Sequence, residues 1–148
     1  MAPRMSGRTV YWRWEYRLRH RPHVLLVAEE EAVTQFRLLL QARWLCSVAS
    51  DPELALTLAS VLLPSRILID ASVPRGTLVI ERLKRQGDTQ ALPVVWLARD
   101  DTSKVQGCNA GAQIGLVTSA VGCGFDVRPV QQALLDMKPS TQALHHAH

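Results

Sequence analysis

The sequence predicts an α/β domain built on a doubly wound parallel sheet of five strands. Three observations predict it. Short, nearly continuous apolar runs alternate with segments whose apolar residues recur at helical spacing, five times over between residues 23 and 137. The 148 residues are 47% hydrophobic and 20% charged, enough to bury one core and too apolar for wholesale disorder. No stretch approaches the roughly 20 consecutive apolar residues of a spanning helix, and the N-terminus lacks an apolar signal core, so a soluble, cytoplasmic protein with no membrane contact is expected.

Residues 1–22 read as a separate extension. They hold Arg4, Arg8, Arg13, Arg17, Arg19 and Arg21 against Glu15, so they carry about +5, while the rest of the chain sits near −1 and the total is +4. The basic character belongs to this extension and not to the domain. Trp12, Trp14, Tyr16 and Leu18 alternate with Arg13, Glu15, Arg17 and Arg19, a period-two pattern with one apolar face, as in an extended strand.

After Pro22 the register changes. His23 to Ala28 is a first buried strand. Glu31 to Arg43 places Val33, Phe36, Leu39 and Leu40 on one helical face. Trp44 to Ala49 is a second strand, followed by a helix over Glu53 to Leu62 in which Asp51 is the N-cap and Pro52 the first helical residue. Arg66 to Asp70 is a third strand that ends on a carboxylate, and Gly76 to Gln86 is an amphipathic helix. Pro93 to Ala98 is strand four. The segment from Asp100 to Gly111 opens on capping carboxylates and closes on glycine. Ile114 to Thr118 makes strand five, and Asp126 to Met137 the last helix, with Pro129 in its first turn. Residues 138–148 form a polar tail whose His145, His146 and His148 are expected to be a disordered end.

Cys46, Cys108 and Cys123 are odd in number and lack metal-ligand spacing, so buried or half-buried packing roles are expected and neither disulfide nor zinc is indicated. No glycine-rich phosphate loop follows the first strand and no nucleophile elbow appears. Glu29 and Glu30 stand where a flavodoxin-type electron carrier would cradle phosphate, and they would repel it.

In a sheet of this kind ligands collect at the carboxyl ends of the strands. Glu29, Glu30 and Asp70 end there, and acidic oxygens brought together by the fold would suit Mg²⁺. A carboxylate beside Mg²⁺ can accept a phosphoryl group, because the metal neutralises charge on the transferring oxygens. Glu30 and Glu31 equally suit a helix N-terminus, and Asp70 equally suits a turn that it caps itself.

The residues that carry these features resemble the receiver domains of bacterial two-component response regulators over about residues 23–137. VLLVAEEEAV is similar to their first strand and acidic pair, ILIDASVPRG to the phosphoacceptor strand and its loop, and PVVWLARDDTSKVQGCNAGAQ to strand four and helix four. The resemblance implies a flavodoxin-like sheet of order 2-1-3-4-5. It implies that Asp70 is the phosphoacceptor, that Glu29 is one acidic Mg²⁺ ligand, and that the backbone carbonyl of Ser72 is another. The second acidic position falls on Ala28, or on Glu30 if the alignment slips by one residue.

Two positions depart from the family. The hydroxyl residue that ends strand four is Ala98, and the lysine that ends strand five is Thr118, followed by Ser119. Without the lysine a phosphoryl group lacks its nearest fixed cation, and without the hydroxyl the contact that marks the active state is gone. The expectation is therefore an atypical, pseudo-receiver-like signalling module and not an enzyme. Its output passes through another protein, a signalling partner such as a histidine kinase, or through a homodimer. The expected surface is helix four, strand five and helix five, with Val105, Ile114, Val117, Val127 and Val130 as candidates and the strand residues expected to pack inside. The alternative is a nucleic-acid-associated regulator whose arginines and aromatics in the extension stack on bases and neutralise phosphates.

Overall fold

The computed structural model describes residues 22–40, 44–117 and 128–137. Five strands, β1 (His23–Val27), β2 (Leu45–Ala49), β3 (Arg66–Asp70), β4 (Val94–Ala98) and β5 (Ile114–Val117), alternate with five helices. The helices are α1 (Glu30–Leu40), α2 (Pro52–Leu62), α3 (Gly76–Arg85), α4 (Asp101–Ala110) and α5 (Arg128–Asp136). The strands pair in parallel in the order β2-β1-β3-β4-β5, the flavodoxin-like arrangement.

Local chemistry sets the boundaries. The Asp51 carboxylate accepts from the Leu54 amide at 3.0 Å and Pro52 opens α2, while Asp100 accepts from the Ser103 amide at 2.7 Å to open α4. Gly111 ends α4 at a φ of 125°, which a side chain would resist. The first helix starts on Glu30, one residue before the predicted Glu31, and residues 41–43 lie outside the described set.

Side-chain alternation divides the core in two. Leu25, Val27, Ile67, Ile69, Val94, Trp96 and Ala98 face α2, α3 and α4. Val24, Leu26, Ala28, Leu68, Val95 and Leu97 face α1 and α5, where Phe36, Val130 and Leu134 cover them. On the first face the Trp96 ring lies against Gly107 of α4 and Gly76 of α3, and its indole N–H donates to the Ser103 carbonyl at 2.9 Å.

Several expectations are corrected by this packing. Val130 is fully buried against the sheet, because the apolar stripe of α5 turns inward, so it is a core residue and not a docking one. Val117, expected inside, is 46% exposed at the end of the outermost strand. Cys108 is exposed on α4, whereas Cys46 is half-buried on the β2 edge. Cys123 and Val127 lie outside the described residues, as do the extension as far as Arg21 and the tail from residue 138. No helix among the described residues is long and apolar enough to cross a membrane.

Candidate functional site

The carboxyl end of β3 is the natural place for a site, because β3 is the middle strand and two loops converge beside it. Asp70, the last residue of β3, is fully buried and stands opposite Leu97 of β4. Its parity with Leu68 turns it toward the α1–α5 side of the sheet.

One carboxylate oxygen of Asp70, Oδ2, has two donors. The Ser72 amide donates at 3.0 Å, closing the self-capping turn that the sequence allowed. The Arg99 guanidinium donates at 3.2 Å and forms an ion pair. The other oxygen, Oδ1, is buried without a partner. A buried charge unpaired on one side is costly, and such atoms in a native fold mark strain or a site.

The neighbouring loops are tied together above this carboxylate. The Glu29 amide donates to the Ser72 hydroxyl at 3.2 Å, which joins the β1–α1 loop to the β3–α3 loop. The Glu29 and Glu30 side chains are exposed, and Glu30 starts α1, where an acid suits the helix dipole. Ala28, at the other acidic position of the resemblance, is fully buried with no ligand atom on its side chain.

Among the described residues no group of three His, Cys, Asp or Glu could hold a metal ion, so Glu29, Glu30 and Asp70 do not assemble into the acidic cluster expected for Mg²⁺. Asp70, the one buried carboxylate among the described residues, already carries a cation of its own. This donor set does not fit a divalent ion held by several carboxylates.

Ala98 is fully buried among the residues that face α2, α3 and α4, and its methyl brings no hydroxyl to the pocket. Thr118 lies outside the described residues, one position past the end of β5. Val105 is 57% exposed on α4. A cleft of about 350 Å³ opens instead between the starts of α2 and α3, lined by Asp51, Pro52, Leu56, Arg75 and Leu78, and Asp70 does not line it.

The reading of the sequence missed Arg99. The signal was parity: Asp70 pairs with Leu97, so the side chain two positions further along β4 returns to the same face of the sheet. It also missed Trp96, whose ring needs the two glycines that face it.

No protein-family model matches the sequence, and no curated protein matches it. Solved structures do match its fold. Chemotaxis protein CheY4 of Vibrio cholerae is 22% identical, with a TM-score of 0.64, over 77% of this chain and 96% of that one. The receiver domain of a Francisella response regulator is 22% identical, with a TM-score of 0.64, over 77% and 93%. The receiver domain of a Pseudomonas aeruginosa sensor histidine kinase, solved with magnesium in its active-site cleft, is 18% identical, with a TM-score of 0.65, over 76% and 93%.

Proposed function

We propose that this chain, which has the receiver fold of response regulators, is an atypical receiver module that acts in signal transduction by protein contact. Its state is set by contacts inside the protein rather than by a phosphoryl group on Asp70. The observation that carries this reading is the pocket at Asp70. The buried carboxylate is engaged by Arg99 and by its own turn, Ala98 has no hydroxyl to offer, and three acids do not converge. A phosphoryl group entering there would find no side-chain contact at Ala98 that differs between two states, and a ligand without differential contacts shifts no equilibrium.

Apolar residues left outside the core support a docking surface on the face that receiver domains use. Val105 on α4, Val117 on β5 and Leu135 on α5 are exposed there, while Val130 is buried, although apolar residues of α2 and α3 are exposed too. The docking surface is then α4, β5 and α5, and its partner is a signalling protein, with a histidine kinase or a second copy of this chain as the two forms to test. Val105→Asp with Val117→Asp should abolish self-association in sedimentation, or capture of the partner kinase, while the melting temperature stays within about 2 °C because both sites are exposed.

The test of the pocket is a titration of the full chain with Mg²⁺ and beryllofluoride, a phosphoryl mimic, followed through backbone amide NMR shifts. Asp70→Asn is the control. The expected result is no shift around Glu29, Asp70 and Ala98 beyond that of the control. Saturable shifts there that the control lacks would overturn the reading and make Asp70 a working phosphoacceptor.

A further inference from the structure

The mismatch between the pocket and a divalent ion has a positive counterpart in Arg99. We infer that Arg99 is the resident counter-ion of Asp70, a fixed organic cation that holds the pocket in place of a metal and excludes one. The inference rests on the reading of this pocket as the receiver-type site, and it assigns the residue that regulates it.

Four observations support it. Asp70 is wholly buried, so its charge needs a partner, and the one cation within reach among the described ion pairs is Arg99 at 3.2 Å. The guanidinium arrives from the end of β4 on the face to which Asp70 points, so the sheet itself positions it. Its side chain is 37% exposed, so the arginine caps the pocket from the solvent side while its head reaches inward. The contact is single: one nitrogen meets Oδ2 and leaves Oδ1 unpaired. The Asp70–Arg99 pair has no net charge to attract Mg²⁺, and an ion approaching the Asp70 carboxylate would meet the guanidinium at close range.

Removing Arg99 leaves a buried carboxylate with Oδ1 unpartnered, Oδ2 bonded to the Ser72 amide alone and no counter-ion, so a hydrated divalent ion gains a negative charge to pair with that wild type withholds. Arg99 therefore sets the metal affinity of the pocket and is a positioning residue for Asp70. A lysine at 99 keeps the charge and loses the planar fork, so it preserves most of the exclusion.

The experiment is a titration of the full chain with Mg²⁺ alone, without any phosphoryl mimic, read by backbone amide shifts and by the melting temperature. It compares wild type, Arg99→Ala, Arg99→Gln, Arg99→Lys and the double variant Arg99→Ala/Asp70→Asn. Arg99→Ala and Arg99→Gln should bind Mg²⁺ with a half-saturation at least tenfold lower than wild type, and the ion should raise their melting temperature more than that of wild type. Arg99→Lys should resemble wild type, and the double variant should lose the gain. If Arg99→Ala fails to fold without the ion, Arg99→Gln, a shorter neutral side chain that still carries N–H donors, carries the comparison. Equal or weaker Mg²⁺ binding in both variants overturns the inference, as does a gain that survives Asp70→Asn. The reading of the pocket as phosphoryl-independent fails on a different result, beryllofluoride binding by wild type, so the two failures are separable.

Discussion

Gly107→Ala is the substitution whose sign divides two lines of reasoning. Gly107 lies inside α4, where alanine is the better helix former by about 1 kcal/mol, so a local view predicts stabilisation. The packing predicts the reverse. A methyl group on Gly107 would lie 2.1 Å from Cδ1 of Trp96 and 2.5 Å from its Cγ and Nε1, far inside contact distance. Trp96 cannot yield easily, because it is 3% exposed between β4 and the helices α3 and α4, with Gly76 on its other side and its N–H bonded to the Ser103 carbonyl. Overpacking of this kind costs about 1–3 kcal/mol, and turning the ring away from Ser103 adds about 1 kcal/mol for the lost hydrogen bond. After the propensity gain the net is about 2 kcal/mol of destabilisation, or roughly 8 °C in melting temperature for a domain of this size. Thermal and urea unfolding of Gly107→Ala, Trp96→Leu and the double variant form the assay. In the Trp96→Leu background the space is open and Gly107→Ala should stabilise by up to about 1 kcal/mol, so the two changes couple strongly. A Gly107→Ala variant that melts above wild type would refute the packing argument.

Asp51→Ala removes the carboxylate that caps α2 at the Leu54 amide and should cost about 1 kcal/mol in urea unfolding. Leu63→Gly should stabilise the chain by about 1 kcal/mol, because Leu63 ends α2 at a φ of 45° and is 53% exposed, so the glycine relieves backbone strain and loses little burial. Burial holds the His23 imidazole below its ordinary value of 6.5, so the unfolded chain takes up a proton that the folded chain resists. Stability is then complete above about pH 6.5 and falls as the pH drops from there through the folded value. The urea midpoint should fall between pH 7.5 and 5.5, and by less in His23→Gln, where the side chain facing the Ser47 hydroxyl no longer titrates.

What was legible in the sequence was what local chemistry decides. Asp51 and Asp100 cap the helices they were expected to cap, Gly111 ends α4, and Asp70 closes a buried strand at the sheet's carboxyl edge. The strand order came from the resemblance to receiver domains, since apolar runs do not say which of them are neighbours. The errors came from rotation and distance. Whether Val130 faces in or out depends on how α5 is rolled against the sheet, and Val117 is exposed because β5 is an edge strand. Arg99 was hidden for a related reason. It is one of 17 basic residues, and its partner lies 29 positions away on another strand, so only the register of β3 against β4 brings them together.

That same register links the pocket to the surface proposed for docking. Arg99 directly precedes Asp100, the residue that caps α4, and Trp96, three residues earlier on β4, is bonded to the Ser103 carbonyl in the first turn of that helix. The start of α4 is therefore held at three nearby places: an ion pair from Arg99 to Asp70, a cap at Asp100 and an indole hydrogen bond to the Ser103 carbonyl. Val105 lies on the next turn, so a partner that grips it pulls on the helix whose origin these contacts fix. Binding free energies are reciprocal. If a partner prefers an α4 position in which the Arg99–Asp70 pair is intact, breaking that pair must weaken the partner by the same factor by which the partner strengthens the pair. Asp70→Asn and Arg99→Ala should then lower partner affinity alike, although neither residue touches the docking face. A module that has replaced its exchangeable cation with an arginine keeps the route from pocket to surface and fixes the input at one end of it.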